Sequence, residues 1–527
     1  MTSIHRLSRA LEARRPLAVA IASGVMFALA TPPLDLYPTV LVGLAGLAWA
    51  LAHSRRAREG FGVALAWAAA AGLVGMRFVP TVVARFTPLG WLPSLAALGL
   101  LALAQGAAWG IGGALAVVAQ RKLGAPLPLA VALAALVGVT APTVIAWTPA
   151  GLLSPWPALL QLGEVVGERG LSVLLAALAG MLAHAFEVAR TSSTRAALRP
   201  LVATSLCLAL MTLHGAWMLD RLSRETASTI RVALVQGATS PEARWQSMSW
   251  PLQLATLRQE TALAENAGVE LTIWPEAAYP YPLRRDTRVM PRGQREILGG
   301  AIDGPVMFGL LASAAPSRDP GGAPIQDTYN SATIVLPDRS LLPTTDKVEL
   351  LAFGEAVPFG EAVPALRRLF QRSGGLRPGE APRALQLVRE EGAPLRAGVL
   401  NCYEDTLPSY GRRLVREVAP NVLVNLTNDA WFSGTAAPEL HLRLSALRAI
   451  EHRRDLVRSV NLGPSAWFDA GGRLRAVSRS TEPSYLVVTP TLREGETAYA
   501  RLGDGPLLAV LGGALAASWA RRRRASA

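Results

Sequence analysis

The sequence has few cysteines, few histidines and few charged side chains. Of its 527 residues, two are cysteine, six are histidine and 17% are charged. The histidines form no His-Glu-x-x-His pattern and none pairs with a cysteine, so we expect no metal site. A Gly-x-x-x-x-Gly-Lys-Ser/Thr stretch is also missing, which argues against a nucleotide-binding phosphate loop. We therefore expect neither a metal nor another cofactor.

The two cysteines lie in segments of different character. Cys207 falls within the apolar run 201–211, which we interpret as intramembrane, so geometry disfavours a disulfide to Cys402. Cys402 ends an apolar strand at 397–401 and is followed by Tyr403, Glu404 and Asp405. On its own this pattern fits a buried, inert thiol as well as an exposed nucleophile.

Positive charge is concentrated in short segments between and beside apolar runs. The segments 1–15, 54–60, 119–124, 184–199 and 519–527 hold 16 Lys and Arg against three Glu, a net of +13 out of the chain's +14. This is the distribution of cytoplasmic loops in membrane proteins. We therefore expect a lipid bilayer, and no nucleic acid, as the partner of the basic residues.

Apolar residues make up 51% of the chain, which is too many for a soluble enzyme of this length. A helix needs about 20 largely apolar residues to cross a bilayer. Seven stretches approach that length before residue 222, and we predict spans at 13–31, 36–53, 60–80, 90–118, 126–147, 168–189 and 200–219. The first two meet at a proline-rich hinge and form either two spans or a re-entrant pair. No signal-peptide cleavage site follows the first.

Arginine distribution predicts the orientation of these spans. The loops after the second, fourth and sixth spans are basic, which places the N-terminus in the cytoplasm and the chain outside after seven crossings. An eighth apolar run at 505–520 ends in four arginines and predicts a return to the cytoplasm. The broken apolar stretch 149–166 is interpreted as a surface-lying or partly inserted loop.

Strand and helix patterns alternate between residues 229 and 500. Strands are predicted at 231–236, 269–274, 305–312, 331–336, 395–401, 421–426, 456–462, 466–469 and 485–489, with helices at 250–267 and 438–453. This succession is typical of one layered α/β domain. We expect a bundle at 1–222, an extracytoplasmic domain at 229–500, and a final span with a basic tail at 505–527.

Three chemically apt side chains each follow a predicted strand or turn. Glu276 ends Trp-Pro-Glu, Lys347 is followed eight residues later by Glu355, and Cys402 opens Cys-Tyr-Glu. A thiol becomes a good nucleophile as thiolate, which needs a base and nearby positive charge. The order Glu, Lys, Cys resembles the nitrilase superfamily, and this resemblance implies an αββα sandwich beside the polytopic α-helical membrane bundle.

The layout of spans, nitrilase-like domain and last span, together with these motifs, resembles the apolipoprotein N-acyltransferase family over essentially the whole chain. The resemblance implies an acyltransferase of lipoprotein biosynthesis in the bacterial inner membrane, with a periplasmic catalytic domain. The family moves an acyl chain from a phospholipid, through a cysteine thioester, to the N-terminal amine of a diacylglyceryl-cysteine lipoprotein. We expect this chain to do so as a monomer.

The resemblance also implies roles for individual residues. Glu276 would be the general base, Lys347 would stabilise the tetrahedral intermediate, and Cys402 would be the nucleophile. Glu355 would support the site. The segment 425–432, Asn-Leu-Thr-Asn-Asp-Ala-Trp-Phe, resembles a family segment that follows the nucleophile.

Further side chains match positions that support the site or bind substrate in that family. These are Trp245, Tyr403 and Glu404. Leu351-Ala352 replaces the family's frequent Val-Pro before Phe-Gly-Glu, which affects the expected shape of that loop.

Two other functions fit parts of the pattern. A membrane-tethered amidase or nitrilase would use the same Glu-Lys-Cys set on a small amide. A transporter or scaffold would carry an inert outer domain, although charged residues are scarce within most predicted spans. His441 and His452 lie on one face of the predicted helix 438–453, where a solvated or core-satisfied role is the simpler interpretation.

Overall fold

The structure, a computed structural model, describes residues 2–244, 246–318, 324–359, 362–363 and 375–526. Its contacts divide the chain into two compact units. One comprises Met1–Leu219 and Leu502–Ala527, and the other comprises Asp220–Arg501. Trp245, one of the predicted supporting residues, lies outside the described residues.

The first unit is helical. Its helices are α1 (Thr2–Ala28), α2 (Thr39–Ala52), α3 (Ala57–Gly75), α4 (Val79–Phe86), α5 (Trp91–Leu123), α6 (Leu127–Thr140), α7 (Pro149–Leu152), α8 (Gly163–Thr191) and α9 (Thr194–Arg224), with a last helix at Gly505–Ser526. Within the described residues, α5, α8 and α9 are long and apolar enough to cross a membrane. The pair α3 and α4, bent by 63° at its break, makes a fourth if it forms one broken span.

Helices lie where the spans are predicted, with two differences, and the crossing of the membrane by each of them stays a prediction. α2 and α6 are shorter than the spans predicted for them, at 14 residues each. The span predicted at 60–80 breaks after Gly75, and the bent helix α4 follows it. Gly75 ends α3 and Pro80 lies in the first turn of α4, where its missing N–H disfavours a helix that continues through 76–79, so the sequence does carry a sign of this break.

Small residues allow the helices of the first unit to pack closely. A Cβ atom added to Gly113 on α5 would lie 2.4 Å from the carbonyl oxygen of Gly60 on α3, and one added to Gly24 on α1 would lie 2.2 Å from that of Trp67. Backbones at this separation leave no room for a side chain. The glycine and alanine content of these stretches therefore serves helix packing.

The stretch 149–166, predicted as a surface-lying or partly inserted loop, packs partly inside the helical unit. It forms α7 and a 3₁₀ turn at Pro157–Leu160, and Leu152 and Leu160 are fully buried. Prolines interrupt the helix here, as the sequence indicates. Leu152 and Leu160 pack inside the helical unit, which shields them from solvent.

The second unit contains fifteen strands within its described residues. They are β1 (Val232–Gln236), β2 (Leu271–Ile273), β3 (Tyr279–Arg284), β4 (Val306–Ser313), β5 (Ser317–Arg318), β6 (Pro324–Ile325), β7 (Thr328–Val335), β8 (Thr345–Asp346), β9 (Ala384–Leu387), β10 (Leu395–Asn401), β11 (Val422–Asn428), β12 (Leu456–Asn461), β13 (Ser465–Phe468), β14 (Leu474–Ser478) and β15 (Ser484–Val488).

The strands form two large sheets. The first has the order β15-β1-β2-β4-β7-β8, with β3 paired to β4, and the second has the order β14-β13-β12-β11-β10-β9. At the centre of each sheet three strands run parallel, namely β1, β2 and β4 in the first and β10, β11 and β12 in the second. β5 and β6 pair only with each other.

The apolar faces of the two sheets pack against each other. Side chains such as Ile273 and Met307 of the first sheet share a core with Val399 and Val424 of the second. A single helical turn, α10 (Pro241–Arg244), follows β1. The outer faces are covered by helices, with α11 (Trp250–Asn266) on the first sheet and α12 (Pro408–Val418) and α13 (Ala437–His452) on the second. Helix, sheet, sheet and helix follow in that order, which confirms the predicted αββα sandwich.

Candidate active site

Glu276 follows β2, where the chain turns away from the sheet. Its side chain is buried, with 6% of the residue exposed. Oε1 accepts a hydrogen bond from Asn330 Nδ2 at 2.6 Å, and Oε2 accepts one from the backbone N–H of Asn428 at 3.0 Å. The next residue, Ala277, has a φ of 46°, so the turn is tight and left-handed. The carboxylate is thereby held in one orientation.

Lys347 directly follows β8 and is almost fully buried, at 1% exposure. Its Nζ lies 2.7 Å from Glu355 Oε2 and 3.4 Å from Glu276 Oε1. Burial opposes the charged form, yet Glu355 and Glu276 together raise the pKa of Lys347 well above its ordinary value. The ammonium is therefore a fixed positive charge between two carboxylates.

Cys402 stands at the junction of β10 and the 3₁₀ turn Cys402–Thr406. Its φ is 53°, a left-handed conformation that non-glycine residues adopt at strained functional turns. Asn425 Nδ2 holds this junction by donating to the carbonyl oxygen of Cys402 at 2.8 Å. The residue is 9% exposed.

The environment of the thiol keeps it protonated at rest. Burial and the charge of Glu276 raise the pKa of Cys402 well above its ordinary value, and Lys347 acts in the opposite direction. Thiolate formation needs a base that removes the proton as the bond to substrate forms.

Glu404 connects the turn of Cys402 to the segment of Lys347. Its fully buried carboxylate accepts backbone N–H groups from Val348 at 2.8 Å, Glu349 at 2.9 Å and Asn401 at 2.8 Å. Burial raises the pKa of Glu404 to about 8, although Lys347 and the three N–H donors favour the charged form. These bonds keep the two chain segments in register.

Tyr403 reinforces the same connection. Its hydroxyl donates to the carbonyl oxygen of Leu350 at 2.9 Å, and Lys347 Nζ lies 5.5 Å from the centre of its ring. Its side chain therefore contacts the segment that follows Lys347 as well as Lys347 itself. The aromatic face also adds a weak attraction for the ammonium group.

The structure thus brings six of the seven predicted site residues to one end of the sandwich. Glu276, Lys347 and Glu355 are in direct contact, and Cys402 interacts electrostatically with all three. Their catalytic roles stay predictions. Within the described residues, no group of three or more His, Cys, Asp or Glu side chains has a metal-binding arrangement.

Sequence reasoning missed one residue that organises the site. Asn330 on β7 donates from Nδ2 to Glu276 Oε1 at 2.6 Å and to Glu355 Oε1 at 3.0 Å. Its carbonyl oxygen also accepts the backbone N–H of Lys347 at 2.7 Å. Its neighbours in β7, Tyr329 and Ser331, are polar as well, so the sequence of the strand did not single it out, although a buried amide needs polar partners.

Two family profiles match the chain. The carbon-nitrogen hydrolase profile matches residues 231–496, and the profile of the apolipoprotein N-acyltransferase N-terminal domain matches residues 23–181. The first match covers the α/β sandwich and the second covers most of the helical unit. The two halves of the chain therefore have separate sequence support.

Relatives match over nearly the whole length. A Geobacter metallireducens protein named apolipoprotein N-acyltransferase is 30% identical over 533 residues, covering 97% of this chain and 96% of its own. A protein of that name from Bradyrhizobium diazoefficiens is 30% identical and covers 96% and 94%. Among solved structures, an amidase from Nesterenkonia sp. matches 54% of this chain and 97% of its own length, at 17% identity and a TM-score of 0.35. The assignment to a family therefore rests on the sequence matches.

Proposed function

The chain belongs to the apolipoprotein N-acyltransferase family, and from this premise we propose that it moves an acyl chain from a membrane phospholipid to the N-terminal amine of a diacylglyceryl-cysteine lipoprotein. Glu276, Lys347 and Cys402 form the catalytic triad in this proposal. The observation that carries it is the buried contact of Lys347 with Glu276 and Glu355, next to a strained turn that presents the thiol.

The first step acylates the enzyme. Glu276 takes the proton of the Cys402 thiol while the sulfur attacks an ester carbonyl of the phospholipid. The carbonyl oxygen becomes an oxyanion, which Lys347 and the backbone N–H of Tyr403 stabilise. Such a donor contributes about 3–4 kcal/mol to the transition state. The C–O bond then breaks, Glu276 returns the proton to the leaving oxygen, and a lysophospholipid departs.

The second step regenerates the thiol. The amine of the lipoprotein's N-terminal cysteine attacks the thioester carbonyl, and Glu276 accepts a proton from the amine. The C–S bond breaks and the proton returns to Cys402. The product is an N-acylated lipoprotein, so the reaction conserves the acyl group and consumes no water.

Membrane anchoring explains why such a site would transfer an acyl group and not hydrolyse an amide. Both proposed substrates are held in the bilayer by their own acyl chains, and the chain is a bacterial membrane protein whose described residues include three long apolar helices. Confinement to one bilayer raises the effective concentration of the acceptor amine at the thioester. Aminolysis can then outrun hydrolysis.

We also propose a multi-pass topology with both termini in the cytoplasm and the domain 229–500 in the periplasm. It comprises seven spans within 1–222 and one within 505–527. The Arg-rich segments 54–60, 119–124 and 184–199 support it. Alkaline phosphatase joined after residue 57 should be inactive, and joined after residue 226 it should be active. The reverse pattern would overturn the topology.

Acyl transfer is tested with the full-length protein in vesicles. We would supply a phospholipid with isotope-labelled acyl chains and a diacylglyceryl-cysteine peptide, and follow both by mass spectrometry. The account predicts one labelled chain in amide linkage at the peptide's N-terminus. Release of the label as free fatty acid, with the peptide unmodified, would instead identify a hydrolase.

A further inference from the structure

A second buried cluster of ionisable groups adjoins the turn that carries Cys402. His441 lies on α13, and its side chain is 12% exposed. Its Nε2 lies 2.9 Å from Asp405 Oδ1, and its Nδ1 lies 3.0 Å from Asp429 Oδ1. Both aspartates are fully buried. The imidazole therefore joins the turn of the thiol to the turn that follows β11, and it is neither solvated nor merely packed.

Hydrogen-bond chemistry determines the charge of this bridge. An ionised carboxylate only accepts hydrogen bonds, and a neutral imidazole has a single N–H. An imidazole whose two nitrogens both face carboxylate oxygens within 3.0 Å satisfies both contacts only when both nitrogens carry a proton. The geometry therefore favours His441 as an imidazolium between two carboxylates.

Arg458 completes the cluster. It lies on β12, is fully buried, and donates from Nη1 to Asp405 Oδ2, while its Nη2 lies 4.0 Å from Asp429 Oδ2. Burial lowers the pKa of Arg458 to about 9, which still leaves it charged at neutral pH. With His441 as imidazolium the two cations balance Asp405 and Asp429. With a neutral imidazole the cluster would hold an uncompensated negative charge in the interior, which is costly.

The cluster acts on the thiol through its charge. Burial is the first cause of the raised pKa of Cys402, and the charge of Asp429 raises it further. Arg458 and Cys402 also interact electrostatically. A net negative charge here would oppose the formation of a thiolate, whereas a balanced cluster would not.

We propose that His441 is a positioning residue whose imidazolium, held between Asp405 and Asp429, cancels negative charge beside Cys402 and so favours the thiolate during catalysis. This inference rests on the proposed role of Cys402 as nucleophile. His441 acts through the two aspartates and takes no proton from the thiol, a task that belongs to Glu276. Its contribution is the charge balance of the cluster.

The test measures thiol reactivity without any lipid substrate. Full-length protein in detergent is treated with iodoacetamide at several pH values, and alkylation of the Cys402 peptide is followed by mass spectrometry. Free glutathione added to each sample serves as the reference thiol. We expect His441→Gln to alkylate Cys402 about tenfold more slowly at a given pH, because one uncompensated nearby charge shifts a protonation equilibrium by about one pH unit.

Removing a negative charge together with the positive charge of His441 distinguishes an electrostatic role of His441 from a structural one. The double variant Asp405→Asn with His441→Gln removes one charge of each sign and should recover a rate within about threefold of wild type. Asp405→Asn alone should alkylate no more slowly than wild type. Glu439→Gln, which removes a charge from the same helix at its ion pair with Arg479, is the matched control and should change nothing.

Each outcome decides the proposal. A double variant that alkylates Cys402 as slowly as His441→Gln would show a structural role and overturn the proposal. A slower rate in Asp405→Asn than in wild type would do the same. A wild-type rate in His441→Gln would also overturn the proposal. If His441→Gln does not fold, a rate in Asp405→Asn below that of wild type still overturns the proposal, and a rate above it supports the proposal. In vesicles with acyl donor, His441→Gln should lower kcat and leave KM unchanged. Alkylation needs no lipid, so it tests the role of His441 separately from acyl transfer. A wild-type protein that fails to transfer acyl groups would contradict the proposed function and leave the result for His441 standing.

Discussion

Glu404 Oε1 accepts the backbone N–H of Val348 at 2.8 Å. The bond spans 56 positions of the sequence and joins the residue after Tyr403 to the residue after Lys347. Together with the bonds from Glu349 and Asn401, it makes the position of the ammonium group depend on that of the thiol's turn. The active site is thus held by buried backbone contacts as well as by its catalytic side chains.

Glu404→Gln should weaken this connection. Glutamine offers one acceptor oxygen, so either the N–H of Asn401 or the pair from Val348 and Glu349 would face an NH₂ group. An unsatisfied buried donor costs about 1–3 kcal/mol, and we expect a lower Tm and at least a tenfold lower kcat. Glu417→Gln, at an exposed ion pair with Arg413, is the control. Unchanged Tm and kcat in Glu404→Gln would contradict the account.

Lys347→Met should abolish transfer and destabilise the domain. The substitution leaves Glu276 and Glu355 buried without their shared cation, and removing one partner of a buried ion pair costs about 3–5 kcal/mol. We expect activity to fall by about three orders of magnitude or more, because the oxyanion donor is lost as well. The only other lysine, Lys122, provides the matched Lys122→Met control. If Lys347→Met retained its activity, the ammonium group of Lys347 would have no part in catalysis.

Asn330→Ala tests a residue that the motifs did not reveal. Without its amide, Oε1 of Glu276 and Oε1 of Glu355 each lose a donor. We expect kcat to fall by about ten- to a hundredfold, corresponding to about 1–3 kcal/mol, with the fold retained. Circular dichroism and transfer assays on Asn330→Ala and on the exposed control Asn266→Ala would measure this. Equal activity in both variants would refute a role for Asn330.

The pH dependence of thiol alkylation tests the resting state of Cys402. Since burial and Glu276 raise the pKa of Cys402 well above its ordinary value, the thiol is protonated below that pKa and its thiolate fraction grows with pH. The rate with iodoacetamide should therefore keep rising through about pH 9, close to tenfold per pH unit. A plateau near neutral pH would mean that the thiolate is already formed at rest.

The fold was largely predictable because its strands carry long apolar runs that end at turns. This pattern predicted the strands before Glu276 and Cys402. The ends of these two strands, β2 and β10, lie within a few residues of the predicted ends. Within the described part of the chain, six strands were missed, ranging in length from the six residues of β3 to the two of β8. The two-residue strand β8 has no pattern of its own, since pairing with β7 alone defines it.

The polar contacts within the site were not predictable. His441 was assigned no task because a single histidine on a helix carries no sign of its partners, and Asp405 and Asp429 are 36 and 12 positions away. Asn330 escaped attention for the same reason. Sequence motifs identify side chains whose chemistry is unusual at strand ends, whereas the groups that orient them are defined by folding.

The most direct test of the central claim is to look for an acyl thioester on Cys402. Full-length protein in phospholipid vesicles, without acceptor peptide, is digested and examined by mass spectrometry before and after neutral hydroxylamine. The account predicts one acyl chain on Cys402 that hydroxylamine removes, present also in Cys207→Ala and absent from Cys402→Ala and Glu276→Gln. A wild-type protein that acylates its acceptor while Cys402 never carries an acyl chain would contradict it.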